Sequence, residues 1–430
     1  MHCFFRYVRK VFGKTEERDL LTKILKKAME LFIELIIAIT AGIICGIGTG
    51  LAPGIHVNLV VTLLVTIAAT LLQYAEPITL CVFIVALSVT HIFLEILPSI
   101  FLGCPNPETA LSVLPGHRYL IAGNGLMAVK LSIIGCFFGI IGGVLCMYPL
   151  IYILPKIYNV IKEYMAFLLI LIIIAMLLQN KKKIWAAIVF VLTGITGLLV
   201  FALPIKDPLF PLLSGLFGIA TLIMSLFEKE NIPAQYDTEM IDLDKKAVGK
   251  AIIAGQLSAA FISLFPGLSP NIGALFGMQF ANNIGDHGYM VLQGCINATG
   301  FLMSIITLYT IQKARNGAIV GIEELLGTVG MREVLLFTAA ILITAAIAAM
   351  ITLKTGKMFC KIVTKINYKL LTGIIIAVII LLTIILSGWL GLLVLITTTA
   401  IGIIPGIVKV TRTQAMGCLL VPTLGYYLNF

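Results

Sequence analysis

Long apolar runs separated by short polar breaks dominate the 430-residue chain. The runs fall at about 28–50, 57–74, 77–101, 126–153, 164–179, 184–203 and 209–227. They resume at about 251–265, 271–282, 288–311, 333–353, 370–387, 389–408 and 414–429. Each is read as a helix, because an open strand leaves its backbone unsatisfied in hydrocarbon. The runs lack the alternation of an outer-membrane barrel. Several approach the roughly 20 residues that span a bilayer, and the shorter ones read as half-helices. The predicted fold class is all-α, a polytopic transmembrane helical protein.

The pattern repeats. Residues 41–58 and 254–271 align without gaps, sharing Ala41/Ala254, Gly42/Gly255, Leu51/Leu264, Pro53/Pro266, Gly54/Gly267 and Asn58/Asn271. Thr90 and His91 are echoed by Asn297 and Thr299, and a charged loop follows in each half, at 105–125 and 313–332. Fixed-offset similarity signals an internal repeat. The chain therefore divides into a basic cytoplasmic segment 1–27, a first transmembrane repeat 28–227, a polar linker 228–250 and a second repeat 251–430. Two such repeats, in inverted orientation, are the plan of many secondary transporters.

The shared motif is Leu-x-Pro-Gly-[Ile/Leu]-x-x-Asn. Proline removes a backbone donor and glycine admits positive φ, so a helix must end there. Inside apolar sequence, a broken or re-entrant helix is tolerated only within protein or along a water-filled cavity. Asn58 and Asn271 then stand where new helices begin, able to cap free N–H groups. Those helix ends favour an anion. Pro53, Gly54, His56, Asn58, Pro266, Gly267, Ser269 and Asn271 are thus candidate substrate-binding residues. The alternative is two tight turns at the membrane surface. Gly42, Gly46 and Gly50 form a small-residue stripe suited to close helix packing.

Composition sharpens the solvent assignment: 60% of residues are hydrophobic, 12% are charged, and mean hydropathy is +1.09. A soluble domain carries about 25% charged residues. The net charge of +10 comes largely from short Lys/Arg runs between apolar segments. Such runs fit the cytoplasmic leaflet and argue against nucleic acid as a partner. The polar, basic start lacks a signal-peptide pattern, which predicts a cytoplasmic amino terminus in a plasma-membrane protein. The nine cysteines are scattered, with no metal-binding or disulfide framework, and no cofactor is indicated. An odd helix count per repeat would place the Lys-rich 354–369 stretch outside, against the positive-inside rule, so topology and any homo-oligomer stay open.

The remaining polar residues are weighed as intramembrane functional candidates. His91 and Glu95, four apart on one helix face, are a proton-relay or ion-coupling candidate. Asn297 and Asp286 join them as ion-coupling candidates, with Na⁺ or H⁺ as the ion. His117 and Arg118, after Pro115 and Gly116, are candidates for meeting an anion or a headgroup. Arg412 and Gln414 are a further polar pair. Ser269 with His56 would be the nucleophile and base of an intramembrane hydrolase, but no orienting acid is evident, and no enzyme is predicted.

The matching pieces are Pro53-Gly-Ile-His-Val-Asn58, 105–118, Pro266-Gly-Leu-Ser-Pro-Asn271, Lys313-Ala-Arg-Asn-Gly-Ala318 and Met416-Gly-Cys-Leu-Leu-Val-Pro422. Their set and order resemble the large membrane subunit (TctA) family of tripartite tricarboxylate transporters, closest to its short archaeal relatives of unassigned function. The resemblance runs from about residue 28 through nearly the whole chain. It implies an ion-coupled carrier for organic anions of the carboxylate class, and rocking of one repeat against the other would give alternating access. It also implies a small membrane subunit and an extracytoplasmic solute-binding protein as partners. Two departures stand out: the chain is shorter than the usual subunit, and His56 and Ser269 replace glycine-rich motif positions. Similar Pro-Gly repeats occur in membrane proteins that return polyprenyl phosphate carriers, so a lipid phosphate is the alternative substrate.

Overall fold

The computed structural model describes residues 15–52, 57–103, 113–178, 180–227, 233–236, 244–264, 270–282, 284–314, 316–363 and 368–428. All regular structure among them is helical. The first half contains α1 (Thr15–Leu51), α2 (Val57–Thr66), α3 (Ala68–Leu71), α4 (Pro77–Leu94), α5 (Ile96–Phe101) and α6 (Val113–Ile121). It continues with α7 (Gly125–Ile161), α8 (Met165–Leu178), α9 (Lys183–Ala202) and α10 (Leu209–Leu213), then a π-helical turn, Ser214–Ile219, and α11 (Ala220–Phe227). The second half contains α12 (Lys245–Ile262), α13 (Pro270–Ala281), α14 (Gly285–Ile311), α15 (Gly317–Leu326), α16 (Met331–Val363), α17 (Tyr368–Val408) and α18 (Gly417–Leu428).

Seven stretches among the described residues are long and apolar enough to cross a membrane: Thr22–Leu51, Pro77–Phe101, Gly125–Leu178, Lys183–Ala202, Gly285–Ile311, Met331–Val363 and Thr372–Val408. The chain is a multi-pass membrane protein. Local chemistry explains where helices start and stop. Pro77 opens α4, where its missing N–H costs nothing. Asp244 caps α12 by accepting from the Lys246 N–H at 2.9 Å, and Asn316 caps α15 from the Ile319 N–H at 2.9 Å. Gln312 ends α14 with φ 54°.

Several elements differ from the sequence expectation. The runs at 126–153 and 164–179 form a nearly continuous rod, joined by a 3₁₀ turn at Lys162–Tyr164 rather than a loop. Both expected charged loops contain short helices, α6 and α15. The run at 57–74 is only α2 plus one turn. Part of the expected linker is docked: Gln235 Nε2 donates to the Leu120 carbonyl at 2.9 Å, and the Tyr236 N–H donates to the Gly123 carbonyl at 2.8 Å. The expected boundary at 388 coincides with a break inside α17, where Gly388 has φ 67°.

Two helices form the interior. In α4–α5 and in α14, 94% of the most apolar window is buried, against 22% in α1. Each central helix is flanked by one helix from its own half and one from the other. α1 and α16 pack on α4, while α12 and α7 pack on α14. The same exchange recurs later in the chain, where α9 packs on α18 and α17 packs on the π turn. Small residues permit these approaches. A Cβ on Gly42 would lie 2.7 Å from the Ala86 Cβ, and one on Gly46 would lie 2.6 Å from the Thr90 Cβ. At the position aligned with Gly42 in sequence, a Cβ on Gly255 would lie 2.7 Å from Cys295 Sγ.

Candidate functional site

Among the described residues, Glu95 is the only buried carboxylate, and no lysine or arginine is buried. Its position follows from a helix break. Pro98 offers no N–H to the carbonyl of Leu94, so the ladder of α4 is interrupted and Glu95 sits at the junction with α5. His91, one turn earlier, brings Nε2 to 3.3 Å from Glu95 Oε2, with side chains 4% and 2% exposed. The other carboxylate oxygen is held from the second half of the chain, by Asn297 Nδ2 at 2.9 Å. Behind the imidazole, His91 Nδ1 lies 3.0 Å from Thr49 Oγ1 of α1. The Thr49 hydroxyl itself donates to the Gly46 carbonyl at 3.3 Å.

A chain of four polar side chains thus crosses the packed centre: Thr49, His91, Glu95 and Asn297. A charge in this setting requires a partner. Beside the chain lies a small cavity with room for about one water molecule. Its polar lining comes from Ser99 on α5, Ser132 on α7, and Gln293 and Asn297 on α14. Asn297 Oδ1 is buried and accepts no hydrogen bond. The cavity therefore presents an uncommitted acceptor one hydrogen bond away from Glu95.

A second cluster joins α6 to the start of α14. Arg118 Nη1 lies 3.4 Å from Asp286 Oδ2, with side chains 65% and 51% exposed. Tyr119 Oη and His287 Nδ1 are 2.9 Å apart, with their rings edge to face. Burial, and then the Asp286 carboxylate, push the Tyr119 hydroxyl up to about 12. His117 points the other way, into protein. Burial lowers its imidazole to about 4, opposed by a hydrogen bond to the Ile100 backbone. Gly116 packs on Ile100, which also lines the cavity, so α6 backs directly onto the cavity wall.

The structure thus brings His91, Glu95 and Asn297 together, and separately brings Arg118 to Asp286. Asn271 is fully buried on the first turn of α13. Asn58 lies on the first turn of α2, but its side chain falls outside the described set. Pro53, Gly54, His56, Pro266, Gly267 and Ser269 also lie outside the described residues. On either side of them, α1 ends at Leu51 and α2 begins at Val57, while α12 ends at Ile262 and α13 begins at Pro270. Arg412 donates to Thr221 Oγ1, and Gln414 Nε2 donates to the Met176 carbonyl at 3.2 Å, so this pair ties the 3₁₀ turn before α18, Arg412–Met416, to the first half.

Sequence reasoning missed Thr49, Ser99, Ser132 and Gln293. Gln293 carried a readable signal, since it stands four residues before Asn297 in an otherwise apolar run. Thr49 lies inside the glycine stripe, where no local pattern marks it.

Comparison with known proteins adds the following. The model of the tripartite tricarboxylate transporter TctA family matches residues 36–417. An uncharacterised protein of Methanocaldococcus jannaschii is 29% identical over 361 residues, covering 81% of this chain and 88% of the relative. No solved structure gives a significant match.

Proposed function

The chain belongs to the tripartite tricarboxylate transporter TctA family, a membrane transport component rather than an enzyme, and from that premise we propose that it is an ion-coupled permease for an organic anion of the carboxylate class. The family normally works with a small membrane subunit and a solute-binding protein, and we extend both partners to this chain. The observation that carries the permease reading is the reciprocal packing of the two halves. Each buried central helix is gripped by one helix from each half. Together with the repeated motif, this supports two inverted repeats, 28–227 and 251–430, joined through 228–250. Rocking one repeat against the other gives alternating access.

In this reading the paired Pro-Gly-x-x-Asn segments supply positive helix ends for the substrate carboxylates, with Asn58 and Asn271 capping them. Arg118 is the cation that meets the anion in this reading, when its exposed pair with Asp286 opens. The amino terminus is cytoplasmic and the membrane is the plasma membrane. The test is thermal stability of the purified chain with di- and tricarboxylates and with short polyprenyl phosphates, each with and without Na⁺. A bound ligand stabilises the folded state by mass action. Carboxylate stabilisation lost in Asn58→Ala plus Asn271→Ala supports the reading. Stabilisation by the lipid phosphate alone overturns it in favour of a lipid-carrier flippase.

A further inference from the structure

We propose that the meeting of α6 with the start of α14 is a latch over the route by which water and the coupling ion reach the buried cavity, and that a carboxylate releases it by taking Arg118 from Asp286. The release rests on the organic-anion reading; the route and the latch rest on geometry. The route is a side-chain stripe on α14. Asp286, Met290, Gln293 and Asn297 follow at steps of four, three and four, which places them on one helix face. The last three line the cavity. Asp286 and His287 are exposed, whereas Met290, Gln293 and Asn297 are 1%, 3% and 4% exposed. The membrane-spanning stretch of α14 is Gly285–Ile311, so the stripe starts at its end and reaches its middle, about 16 Å inwards.

The inner end of the stripe offers a group for the arriving species. Asn297 Oδ1 is buried and accepts no hydrogen bond, while Nδ2 of the same amide holds Glu95 at 2.9 Å. A buried polar atom of this kind is normally satisfied by ordered water. A water molecule or a small cation in the cavity meets Oδ1 and leaves the Glu95 contact in place. The facing wall comes from α5 and α7 of the first half, so the cavity widens when the halves part.

Two adjacent residues on each side close the outer end. Arg118 Nη1 lies 3.4 Å from Asp286 Oδ2, and Tyr119 Oη lies 2.9 Å from His287 Nδ1. α6 itself is anchored in the first half. It packs chiefly on α5 and α7, and Gly116 seats against Ile100 of the cavity wall. Gln235 clasps its end, donating to the Leu120 carbonyl and accepting from the Gly125 N–H at 3.0 Å. The interface that parts is therefore the one between α6 and α14.

The ion pair is suited to exchange. Charge-assisted hydrogen bonds lie at about 2.7–2.9 Å, so a contact of 3.4 Å is loose. An exposed pair of this kind adds little stability. A carboxylate ligand offers Arg118 the same chemical group, and can meet the guanidinium fork with both oxygens. Asp286 then turns to solvent, one of the two contacts is gone, and the stripe behind Met290 opens to water.

The test is hydroxyl-radical footprinting of the full-length chain in nanodiscs, read by mass spectrometry as sulfoxide at native methionines. Met290 lies on the route. Met303, also 1% exposed on α14, is outside the cavity lining and serves as control. Met358, 51% exposed, reports the radical dose, because carboxylates scavenge radicals. The probes are citrate and succinate. In wild type without a probe, Met290 should oxidise as slowly as Met303, and either carboxylate should raise its rate several-fold. Asp286→Asn and Arg118→Gln should each raise it several-fold with no carboxylate present, and the probes should add nothing in Arg118→Gln. Met290 as protected as Met303 in both variants overturns the proposal. A parallel rise at Met303 also overturns it, since that marks general loosening instead of an opened route. If both variants expose Met290 while neither probe does so in wild type, the carboxylate reading fails and the latch stands.

Discussion

The hydrogen bond from Asn297 to Glu95 joins residues 202 positions apart, and its strength decides whether the two halves are coupled through the buried pair. The perturbation is a double-mutant cycle of Glu95→Ala, Asn297→Ala and both together. In soluble proteins a hydrogen bond to a charged group contributes about 1.5–3 kcal/mol. Interhelical hydrogen bonds in membranes average about 0.6 kcal/mol, with the largest near 1.7 kcal/mol, because the unfolded chain in lipid also finds partners. Glu95 and Asn297 are 3% and 4% exposed and 2.9 Å apart, so we place this pair near the upper membrane value, about 1.5 kcal/mol of coupling. The assay is reversible unfolding in mixed micelles with increasing SDS. The same cycle on Arg118 and Asp286, exposed and 3.4 Å apart, serves as control and should give well under about 1 kcal/mol. Additive Glu95 and Asn297 effects, with coupling no larger than in the control, would refute the bridge.

Three further outcomes follow from other parts of the molecule. His117 has a folded value of about 4 against an ordinary 6.5, so the unfolded chain binds the extra proton first. Stability therefore falls as pH drops from about 6.5 towards about 4, by up to about 3 kcal/mol, and His117→Leu should flatten this slope in a pH series of melting curves. Gly46→Val drives a side chain into Thr90 and the Leu87 carbonyl and should cost at least about 1–3 kcal/mol, whereas Gly48→Ala meets nothing within 4 Å and should be neutral or stabilising. Asn180→Leu removes the acceptor of the Thr411 N–H and hydroxyl at 3.3 and 3.1 Å, and should cost about 1–3 kcal/mol in the same unfolding assay.

The interior helices were legible because their sequences carry almost no charge over a full membrane span, as at 77–101 and 288–311. The stripe Gly42, Gly46 and Gly50 announced close packing, and its partner turned out to be α4. His91 and Glu95 were legible by their spacing alone. Their third member stands apart in the sequence, because no local pattern says that Asn297 faces Glu95; the fold alone brings them together. The short helices α6 and α15 were hidden by the charged, glycine-containing sequence around them. The rod from α7 to α8 was hidden because Lys162 and Glu163 read as a boundary, yet a 3₁₀ turn carries the chain through them. Arg118 is a candidate anion contact by its place after Pro115 and Gly116, and its pairing with Asp286 depends on the docking of α6 at the start of α14.

The central claim is that the two halves form one carrier for organic carboxylates. It is tested most directly by counterflow in proteoliposomes containing the full-length chain, preloaded with unlabelled di- or tricarboxylate and supplied with labelled citrate outside. The account predicts transient accumulation of label above empty vesicles, lost in Asn58→Ala plus Asn271→Ala and strongly slowed in Glu95→Gln. Label that never exceeds empty vesicles for any carboxylate, with the chain folded and correctly inserted, would contradict it.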